Sequence, residues 1–572
     1  MTVVGMAVAA IPEGLPAILT VALAIGVQRM AGRNAIIRRL PAVETLGAVS
    51  LICSDKTGTL TRNEMTVRSV ALTGRLFEVS GSGYDPHGGF ILDGTEQPAD
   101  DHPLLLELLR AAALCNDAGL HRVEETWQVE GDPMEGALQV LALKGGLDPE
   151  GEVGTCPRSD EIPFDAQHRF MATLHHDHRG HGWIFLKGAP EQVLELCPWQ
   201  QTETGQVPLD LSHWQERIIT LAARGQRVLA VARAPAPAGQ TTLDFADLER
   251  GLVLLGLVGL LDPPREEAVR AVMECRSAGI RVKMITGDHA DTARAIAGQL
   301  GLDNTAGVLT GPDLDRLDDE ALAVTALRVD IFARTTPAHK LRLVTALQAG
   351  DLVVAMTGDG VNDAPALKRA DVGVAMGHGG TEAAKEAAEM VLVDDNFASI
   401  AHAVREGRTV YDNLKKAIVF LLPVNGGESL SVLAAVLAGL TLPITPVQIL
   451  WVNMVSSVAL AMALAFEPPE PQVMQRPPRR RDEPILSGFL LWRIALVSLL
   501  FMAGVFGIFS WAQAQGSTLE EARTYAVNTL VVMEVFYLFN VRYLGTGSLT
   551  WRGVMGTPAV LVAVGVVTAL QL

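Results

Sequence analysis

Six apolar segments constrain the fold of this 572-residue chain more than any other feature. Each is long and apolar enough to cross a lipid bilayer. We place them near residues 2–28, 414–440, 446–466, 488–511, 524–541 and 555–571. The stretch between the first two is rich in charged residues, so the mean hydropathy of +0.26 averages over two unlike parts. The pattern predicts a membrane part and a large soluble part.

Basic residues indicate the side on which the soluble part lies, because cytoplasmic loops are enriched in Lys and Arg. The opposite loops, 441–445 and 512–523, carry only Arg523. All other basic clusters near the spans fall on the side of the soluble part: Arg29, Arg33, Arg38, Arg39, Arg405, Arg408, Lys415, Lys416, Arg476, Arg479, Arg480, Arg481, Arg542 and Arg552. We expect a multi-pass membrane protein whose large soluble part lies in the cytoplasm.

Length and composition narrow the class further. A chain of 572 residues is expected to form three or more domains. The net charge of −18 argues against nucleic acid as a partner, because phosphate backbones are bound by clustered Lys and Arg. The cysteines lack C-x-x-C spacing and indicate reduced thiols: Cys53, Cys115, Cys156, Cys197 and Cys275.

An aspartate at the start of a hydroxyl-rich turn is the first candidate for catalysis. Asp55 follows a strand-like run at 48–53 and opens the segment Asp55-Lys-Thr-Gly-Thr-Leu-Thr61. Such a carboxylate can attack the terminal phosphoryl group of ATP and carry it as an acyl phosphate, while Mg²⁺ and a lysine neutralise the developing charge. Thr57 is unable to activate water as an aspartate would, so the intermediate should persist. The alternative is a plain turn before a strand.

Four motifs occur in the order and rough spacing of P-type ATPases: Asp55-Lys-Thr-Gly-Thr-Leu-Thr61, Lys187-Gly-Ala-Pro-Glu191, Thr286-Gly-Asp288 and Thr357-Gly-Asp-Gly-Val-Asn-Asp363. From about residue 3 to about residue 571 the chain resembles the calcium-pump-like branch of this family. The resemblance implies a multidomain α/β fold plus membrane helices. Its parts would be a transmembrane helix at 1–30 with an unwound Pro-Glu-Gly-Leu-Pro, a haloacid-dehalogenase-like Rossmannoid phosphorylation domain at 31–62 and 251–400, an α+β nucleotide-binding domain at 63–250, and a stalk with five transmembrane helices at 401–572.

Alternating apolar and helical stretches, such as the apolar runs 253–259, 280–285 and 352–356, predict a parallel sheet with catalytic loops at the carboxyl ends of its strands. By the resemblance, Asp55 is the nucleophile, Thr286 donates to phosphate and Lys340 is the phosphate-holding cation. Asp55, Asp359 and the Thr57 carbonyl would ligate Mg²⁺. The same resemblance marks the neighbouring residues Lys56, Gly287, Asp288, Asn362 and Asp363. Residues 359–363 alone would also suit an ordinary turn.

The resemblance also implies an ATP pocket. Phe164 would stack on the adenine, Glu135 would bond its amino group, and Lys187 with Gly188 would approach it closely. Further family positions are Arg169, Met171, Arg227, Asp262 and Arg334. Ala166 stands where the family often has an arginine. For Phe164 alone a core position is the alternative. The histidine-rich run 175–182 is interpreted as a hairpin loop and not as a metal site.

The transported cation would bind between the spans, because polar residues inside spans are costly and functional by default. Pro12 and Pro16 free backbone carbonyls around Glu13. The residues that match calcium-pump ligands are Val8, Ala9, Ile11, Glu13, Asn425, Glu428, Asn453, Ser456, Ser457 and Glu534, with Asn540 nearby. Ser457 replaces an aspartate that bridges two ions in a calcium pump. Ca²⁺ or a related divalent ion is favoured, Na⁺ or H⁺ is the alternative, and the absence of Cys-Pro-Cys argues against a soft metal.

We find no Thr-Gly-Glu-Ser motif. By comparison with the family, we expect that the chain lacks the actuator domain, the first three membrane helices and the last one. A separate N-terminal fragment would then be a partner, beside ATP, the cation and the lipid membrane. Two other functions remain open: a truncated fragment that binds ATP and ions without turnover, and a soluble phosphatase of the same core fold.

Overall fold

The computed structural model describes residues 6–9, 11–12, 14–81, 83–123, 126–165, 167–249, 251–543 and 557–571. They divide into two compact units, which we describe separately. The first contains Met1–Cys53, Ala271–Val282 and Lys340–Leu572, and the second contains Ser54–Arg270 and Lys283–His339. Glu13 and Ala166 lie outside the described residues, so the predictions about them stay predictions.

The soluble part of the first unit is built on a largely parallel sheet. Three parallel pairings connect its central strands, and one antiparallel pairing adds the edge strand Ala35–Ile37. In spatial order the strands are Ala35–Ile37, Met390–Leu392, Val372–Met376, Val354–Gly358 and Leu51–Asp55. The residues of Val372–Met376 are all buried, as is typical of a strand covered on both faces. Its shorter helices are Pro41–Leu46, Ala364–Arg369 and Glu382–Ala387. The predicted parallel sheet is confirmed for the four strands other than Ala35–Ile37.

The membrane part of the first unit contains four helices that are long and apolar enough to span a bilayer: Phe397–Leu437, Pro446–Phe466, Gly488–Ala514 and Leu519–Val541. Two shorter apolar helices, Leu15–Ala31 and Pro558–Gln571, occupy the predicted first and sixth positions. The described residues therefore show four of the six predicted spans. The helix Phe397–Leu437 has 41 residues, about 60 Å at 1.5 Å per residue, so it combines the predicted stalk and second span.

Inside the membrane part, one helix changes its winding. Pro446–Phe466 begins as an α-helix, becomes a wider π-helix at Val452–Ser457, returns to α at Val458–Ala463 and ends in a 3₁₀ turn. Such π segments recur at functional sites. This one carries Asn453, Ser456 and Ser457, three of the predicted ion ligands.

The second unit contains a mainly antiparallel sheet, and all of its strands except Val253–Leu261 fall within 63–250, the predicted nucleotide-binding segment. Its main run of strands, in spatial order, is Thr95–Gln97, Phe90–Leu92, Arg75–Val79, Thr66–Leu72, Val253–Leu261, Arg227–Ala236, Gly182–Gly188, Phe170–His176 and Arg158–Ile162, with Trp199–Thr202 and Gly205–Pro208 attached at the side. A separate hairpin pairs Gly119–Val123 with Thr126–Glu130. The histidine-rich run is a hairpin as predicted, because Phe170–His176 pairs with Gly182–Gly188.

One strand prediction is wrong. The run 253–259 was expected in the parallel sheet, but Val253–Leu261 pairs antiparallel with both Arg227–Ala236 and Thr66–Leu72. All of its residues are buried. A central antiparallel strand covered on both faces has the same continuous apolar pattern as a parallel one, so the pattern does not distinguish them.

The second unit also holds a short parallel group of strands. Arg281–Ile285, whose first two residues belong to the first unit, pairs through Met284 and Ile285 with Ile331–Ala333, and that strand pairs with Val308–Thr310. The helices of the unit are Pro103–Leu114, Pro133–Lys144, Pro149–Thr155, Pro190–Leu196, Leu211–Ala223, Phe245–Leu248, Ala290–Leu300, Gly311–Arg316 and Asp319–Arg328. Two further helices, Glu266–Ser277 and Pro337–Gln348, begin in the second unit and end in the first.

Candidate phosphorylation and ion-binding sites

Asp55 is the last residue of the strand Leu51–Asp55 and begins a tight turn. One of its carboxylate oxygens accepts the backbone N–H of Lys56 at 2.7 Å. Thr57 is extended and Gly58 has a φ of 76°, a conformation that glycine adopts without steric cost. The glycine of the predicted catalytic turn therefore has a local structural reason.

Lys56 is buried between two carboxylates in the second unit. Its ammonium lies 2.8 Å from Asp288 and 3.5 Å from Asp262. The hydroxyl of Thr61 donates to Asp262 at 2.5 Å. Burial raises the pKa of Asp262, and the Thr61 hydroxyl and the Lys56 ammonium lower it in part. Asp262, which the family resemblance places with the nucleotide, thus lies directly beside Lys56, which the same resemblance places among the catalytic residues.

Two further contacts hold the loops around this cluster. The hydroxyl of Thr286 accepts the backbone N–H of Asp288 at 3.1 Å. The guanidinium of Arg265 donates to the carbonyls of Gly58 and Thr61 at 3.2 and 3.1 Å. Arg265 was not among the residues predicted from the sequence. Its signal was its place directly after the double proline 263–264, where the chain returns towards the catalytic turn.

A cavity of about 710 Å³ opens beside this cluster within the second unit. Its wall brings together residues that the resemblance assigned to two different groups. Four were expected to be catalytic and three to bind nucleotide: Lys56, Thr57, Gly287, Asp288, Arg227, Asp262 and Arg334. The cavity has the size of a small-molecule site and carries both charge signs, so it suits a nucleotide with a polyphosphate tail.

The other predicted nucleotide residues lie around the strands Phe170–His176 and Gly182–Gly188. The ammonium of Lys187 is buried, lies 2.6 Å from Glu135 and donates to the carbonyl of Cys115. A side chain at Gly188 would meet Phe170 at 2.5 Å, so only glycine fits there. Gly188 therefore allows the two strands to approach closely at this position.

The remaining three residues of the predicted pocket differ in burial. Phe164 is 64% exposed, so the alternative of a core aromatic is wrong and the ring is accessible for stacking. Arg169 has a φ of 56° and lies 3.6 Å from Glu191. Met171 is buried in the hydrophobic core of the unit.

In the first unit, the turn after Val354–Gly358 collects the other predicted catalytic groups. The ammonium of Lys340 lies 2.9 Å from Asp363, and both side chains are buried. Asp363 also accepts the backbone N–H of Asp359 at 3.3 Å. Asp359 and Asn362 are exposed. The segment is both a turn and a cluster of carboxylates, and oxygen ligands of this kind suit Mg²⁺.

The membrane part of the first unit buries two carboxylates, Glu428 and Glu534. Both oxygens of Glu428 and one of Glu534 have no hydrogen-bond partner among the described residues. The second oxygen of Glu534 accepts the hydroxyl of Ser457 at 2.9 Å. Buried polar atoms are normally paired, so these oxygens mark a place where a cation would find ligands.

Two amides border the same region. Asn425 donates to the carbonyl of Ile11 at 3.1 Å, and Asn453 donates to the carbonyl of Val8 at 3.5 Å. Ala9, which lies between Val8 and Ile11 in the sequence, is buried.

The other predicted polar residues make contacts within or at the end of their helices. The hydroxyl of Ser456 donates to the carbonyl of Val452 in the same helix. Asn540 contacts Arg493 at the end of its helix.

Comparison with known proteins identifies the family. Three family models match: "P-type ATPase, cytoplasmic domain N" at residues 104–267, "haloacid dehalogenase-like hydrolase" at 341–404 and "Cation transporting ATPase, C-terminus" at 441–572. The chain is 48% identical to the cation-transporting ATPase pma1 of Synechocystis over 100% of the chain and 64% of that protein. The chain belongs to the P-type cation-transporting ATPases.

Other relatives of this P-type ATPase carry similar names. The probable cation-transporting ATPase F of Mycobacterium tuberculosis is 49% identical over 96% of the chain and 61% of that protein. The calcium-transporting ATPase of Bacillus subtilis is 43% identical over 94% of the chain and 61% of that protein. The chain thus spans a little under two thirds of the length of these relatives.

Proposed function

We propose that this P-type ATPase takes part in ATP-driven cation transport through an aspartyl phosphate on Asp55. The observation that carries the proposal is the cavity in the second unit, whose wall combines the buried Lys56 and its partly exposed partner Asp288 with Arg227 and Arg334. Arginine side chains bind phosphate oxygens through fixed pairs of donors. A nucleotide in this cavity would have its phosphates beside the turn that Asp55 begins.

The proposed reaction needs one bond to form and one to break. A carboxylate oxygen of Asp55 attacks the γ-phosphorus of ATP, and the bond between that phosphorus and the β–γ bridging oxygen breaks, releasing ADP. Lys56 and the hydroxyl of Thr286 would stabilise the charge on the transferred group. Lys340 would act as the phosphate-holding cation, as the family resemblance implies.

Mg²⁺ would supply further neutralisation of the phosphate oxygens when bound. The carboxylates of Asp359 and Asp363 lie in one turn and offer the oxygen ligands that this ion prefers. The contributions of Asp55 and of the Thr57 carbonyl are proposed from the family resemblance alone. ATP would place its adenine near the exposed Phe164, with Lys187 and Glu135 as polar partners.

For the cation, we propose Ca²⁺ or a related divalent ion. Both oxygens of Glu428 and one of Glu534 have no hydrogen-bond partner in the described part of the chain, which supports a hard cation. Glu13 would add a third carboxylate. The relative from Bacillus subtilis is named a calcium-transporting ATPase. Na⁺ or H⁺ is the second candidate, because Ser457 leaves the site one carboxylate short of a calcium pump.

The membrane placement is part of the same proposal. We propose six spans, the shorter helices Leu15–Ala31 and Pro558–Gln571 adding to the four long ones. The protein would lie in the bacterial plasma membrane with its catalytic part in the cytoplasm. Because the chain spans only 61–64% of the relatives described above, a fragment that binds ATP and ions without turnover is the second candidate function.

The test is uptake of ⁴⁵Ca²⁺ into inside-out vesicles from cells that make the chain, with and without a co-expressed actuator-bearing fragment of a relative. We expect ATP-dependent uptake by the wild type and none by Asp55→Asn. Uptake only with the added fragment would favour the second candidate for the isolated chain. Uptake of ²²Na⁺ or ATP-dependent proton movement in place of ⁴⁵Ca²⁺ would reassign the cation, and no movement of any cation would contradict transport.

A further inference from the structure

The helix Pro337–Gln348 begins with an unusual cap. The backbone N–H of Thr336 donates to Nδ1 of His339 at 3.1 Å. In return, the backbone N–H of His339 donates to the hydroxyl of Thr336 at 3.4 Å. This is the reciprocal pattern of a capping box, with histidine at the position where glutamate or glutamine is usual. The first turn carries no acidic residue that would cap it instead.

The hydrogen bonds define the tautomer of His339. A backbone N–H only donates, so Nδ1 is the acceptor and the ring proton lies on Nε2. Nε2 faces a carboxylate oxygen of Asp315 at 2.8 Å. Asp315 belongs to the helix Gly311–Arg316, and a side chain at Gly311 would come within 3.1 Å of the imidazole. The buried ring is therefore held by Thr336, by Asp315 and by close packing.

We infer that His339 is a positioning residue for Lys340, the next residue of the same helix. This inference rests on the proposed function, in which Lys340 holds the transferred phosphate. Lys340 is buried and paired with Asp363, so a small shift of its backbone changes where the ammonium lies. A displacement of about 1 Å at such a group can reduce a rate by about 100-fold.

The experiment compares His339→Ala and His339→Gln in the full-length chain. Alanine removes the acceptor for Thr336 and the donor to Asp315, whereas glutamine can supply both. We expect His339→Ala to slow phosphorylation from ATP by about 10-fold or more, at saturating ATP and with the Kd for ATP unchanged. Hydrogen exchange of the amides in the first turn of Pro337–Gln348 should be faster. His339→Gln should restore both properties.

A matched control separates positioning from stability. Asp318 caps the helix Asp319–Arg328 by accepting the backbone N–H of Ala321 at 2.8 Å, and that helix carries no assigned site residue. Asp318→Ala should lower the Tm to a similar degree and leave phosphorylation unchanged. If the wild type is labelled and His339→Ala is labelled at the same rate, or if amide exchange in that variant is unchanged, the inference about His339 alone is wrong. If the wild type carries no label, the proposed function is wrong and the inference with it.

Discussion

The ammonium of Lys56 connects the turn that follows Asp55 to two carboxylates of the second unit. It is almost completely buried and lies beside Asp288 and Asp262. Removing both carboxylates would leave the buried ammonium without a counter-charge, which is far more costly than the ion pairs themselves are stabilising. The ion pairs therefore restrict the turn to one conformation, and their net contribution to the free energy of unfolding is small.

Asp262 gives this cluster a pH dependence. Because burial raises its pKa above the usual 3.8, the folded protein binds this proton more tightly than the unfolded chain does. The stability from this group is fully present below 3.8 and is lost as the pH rises through the raised folded value. We predict that the Tm of the wild type, relative to that of Asp262→Asn, falls as the pH rises through this window. Each unit of pKa difference corresponds to about 1.4 kcal/mol.

Thermal unfolding of both proteins across a pH series that starts below 3.8 measures this difference. The comparison removes contributions from all other titrating groups, which the two proteins share. A difference in Tm that rises with pH, or that is constant over the series, would contradict a raised pKa for Asp262.

Ser457 sets the charge of the proposed cation site. Its hydroxyl donates to Glu534, so a carboxylate at this position would lie beside the same oxygen. We predict that Ser457→Asp raises the affinity for Ca²⁺ by about 10-fold or more, because Ca²⁺ affinity depends on the number of charged ligands. Equilibrium binding of ⁴⁵Ca²⁺ measures it. Ser457→Asn is the control, being similar in size without the charge, and an equal gain in both variants would count against a charge effect.

At the scale of elements, a buried ion pair connects the ends of two membrane helices. Glu467 follows the helix Pro446–Phe466, and Arg542 follows Leu519–Val541. Their side chains are each 2% exposed and lie 2.9 Å apart, and Thr557 donates to the same carboxylate at 3.0 Å. The pair fixes how these two helix ends are placed within the first unit.

Breaking this pair should be strongly destabilising. We predict that Glu467→Gln lowers the free energy of unfolding by about 3–5 kcal/mol, since it leaves the Arg542 guanidinium buried without a counter-charge. Thermal unfolding in detergent measures the loss. The matched control is Asp482→Asn, which breaks the exposed pair with Arg480 and should change stability by less than about 0.5 kcal/mol. Equal effects of the two substitutions would show that burial does not determine the cost.

The sequence predicts some elements better than others for physical reasons. The four long apolar helices, the hairpin around the histidine-rich run and the parallel strands around Val354–Gly358 are confirmed, because their apolar patterns are long or bounded by turns. The antiparallel pairing of Val253–Leu261 was missed, since full burial hides the difference between strand types. The first span was placed at 2–28, where the described apolar helix is Leu15–Ala31.

In the candidate site, too, some features were predicted from the sequence and others were not. The family resemblance was enough to name Lys56, Asp288 and Asp262 but gave no information on their mutual contacts. These contacts depend on side-chain geometry between residues as far apart in sequence as Lys56 and Asp288. The cap at His339 and the contacts of Arg265 join segments that are distant in sequence or depend on backbone direction.

At the scale of the whole molecule, the chain spans 64% of the Synechocystis relative and 61% of that from Bacillus subtilis. The proposed phosphorylation of Asp55 uses side chains that lie in this chain, such as those of Lys56 and Thr286. We therefore predict that the purified chain forms the aspartyl phosphate.

The most direct measurement is acid-stable labelling of the purified chain by γ-³²P-ATP with Mg²⁺, in the presence of Ca²⁺, Mn²⁺, Na⁺ or K⁺. We predict label that hydroxylamine removes in the wild type and in Asp93→Asn, an exposed turn position with a φ of 50° that asparagine tolerates. Asp55→Asn should carry none. Label that persists in Asp55→Asn, or its absence from the wild type under every cation, would contradict the account.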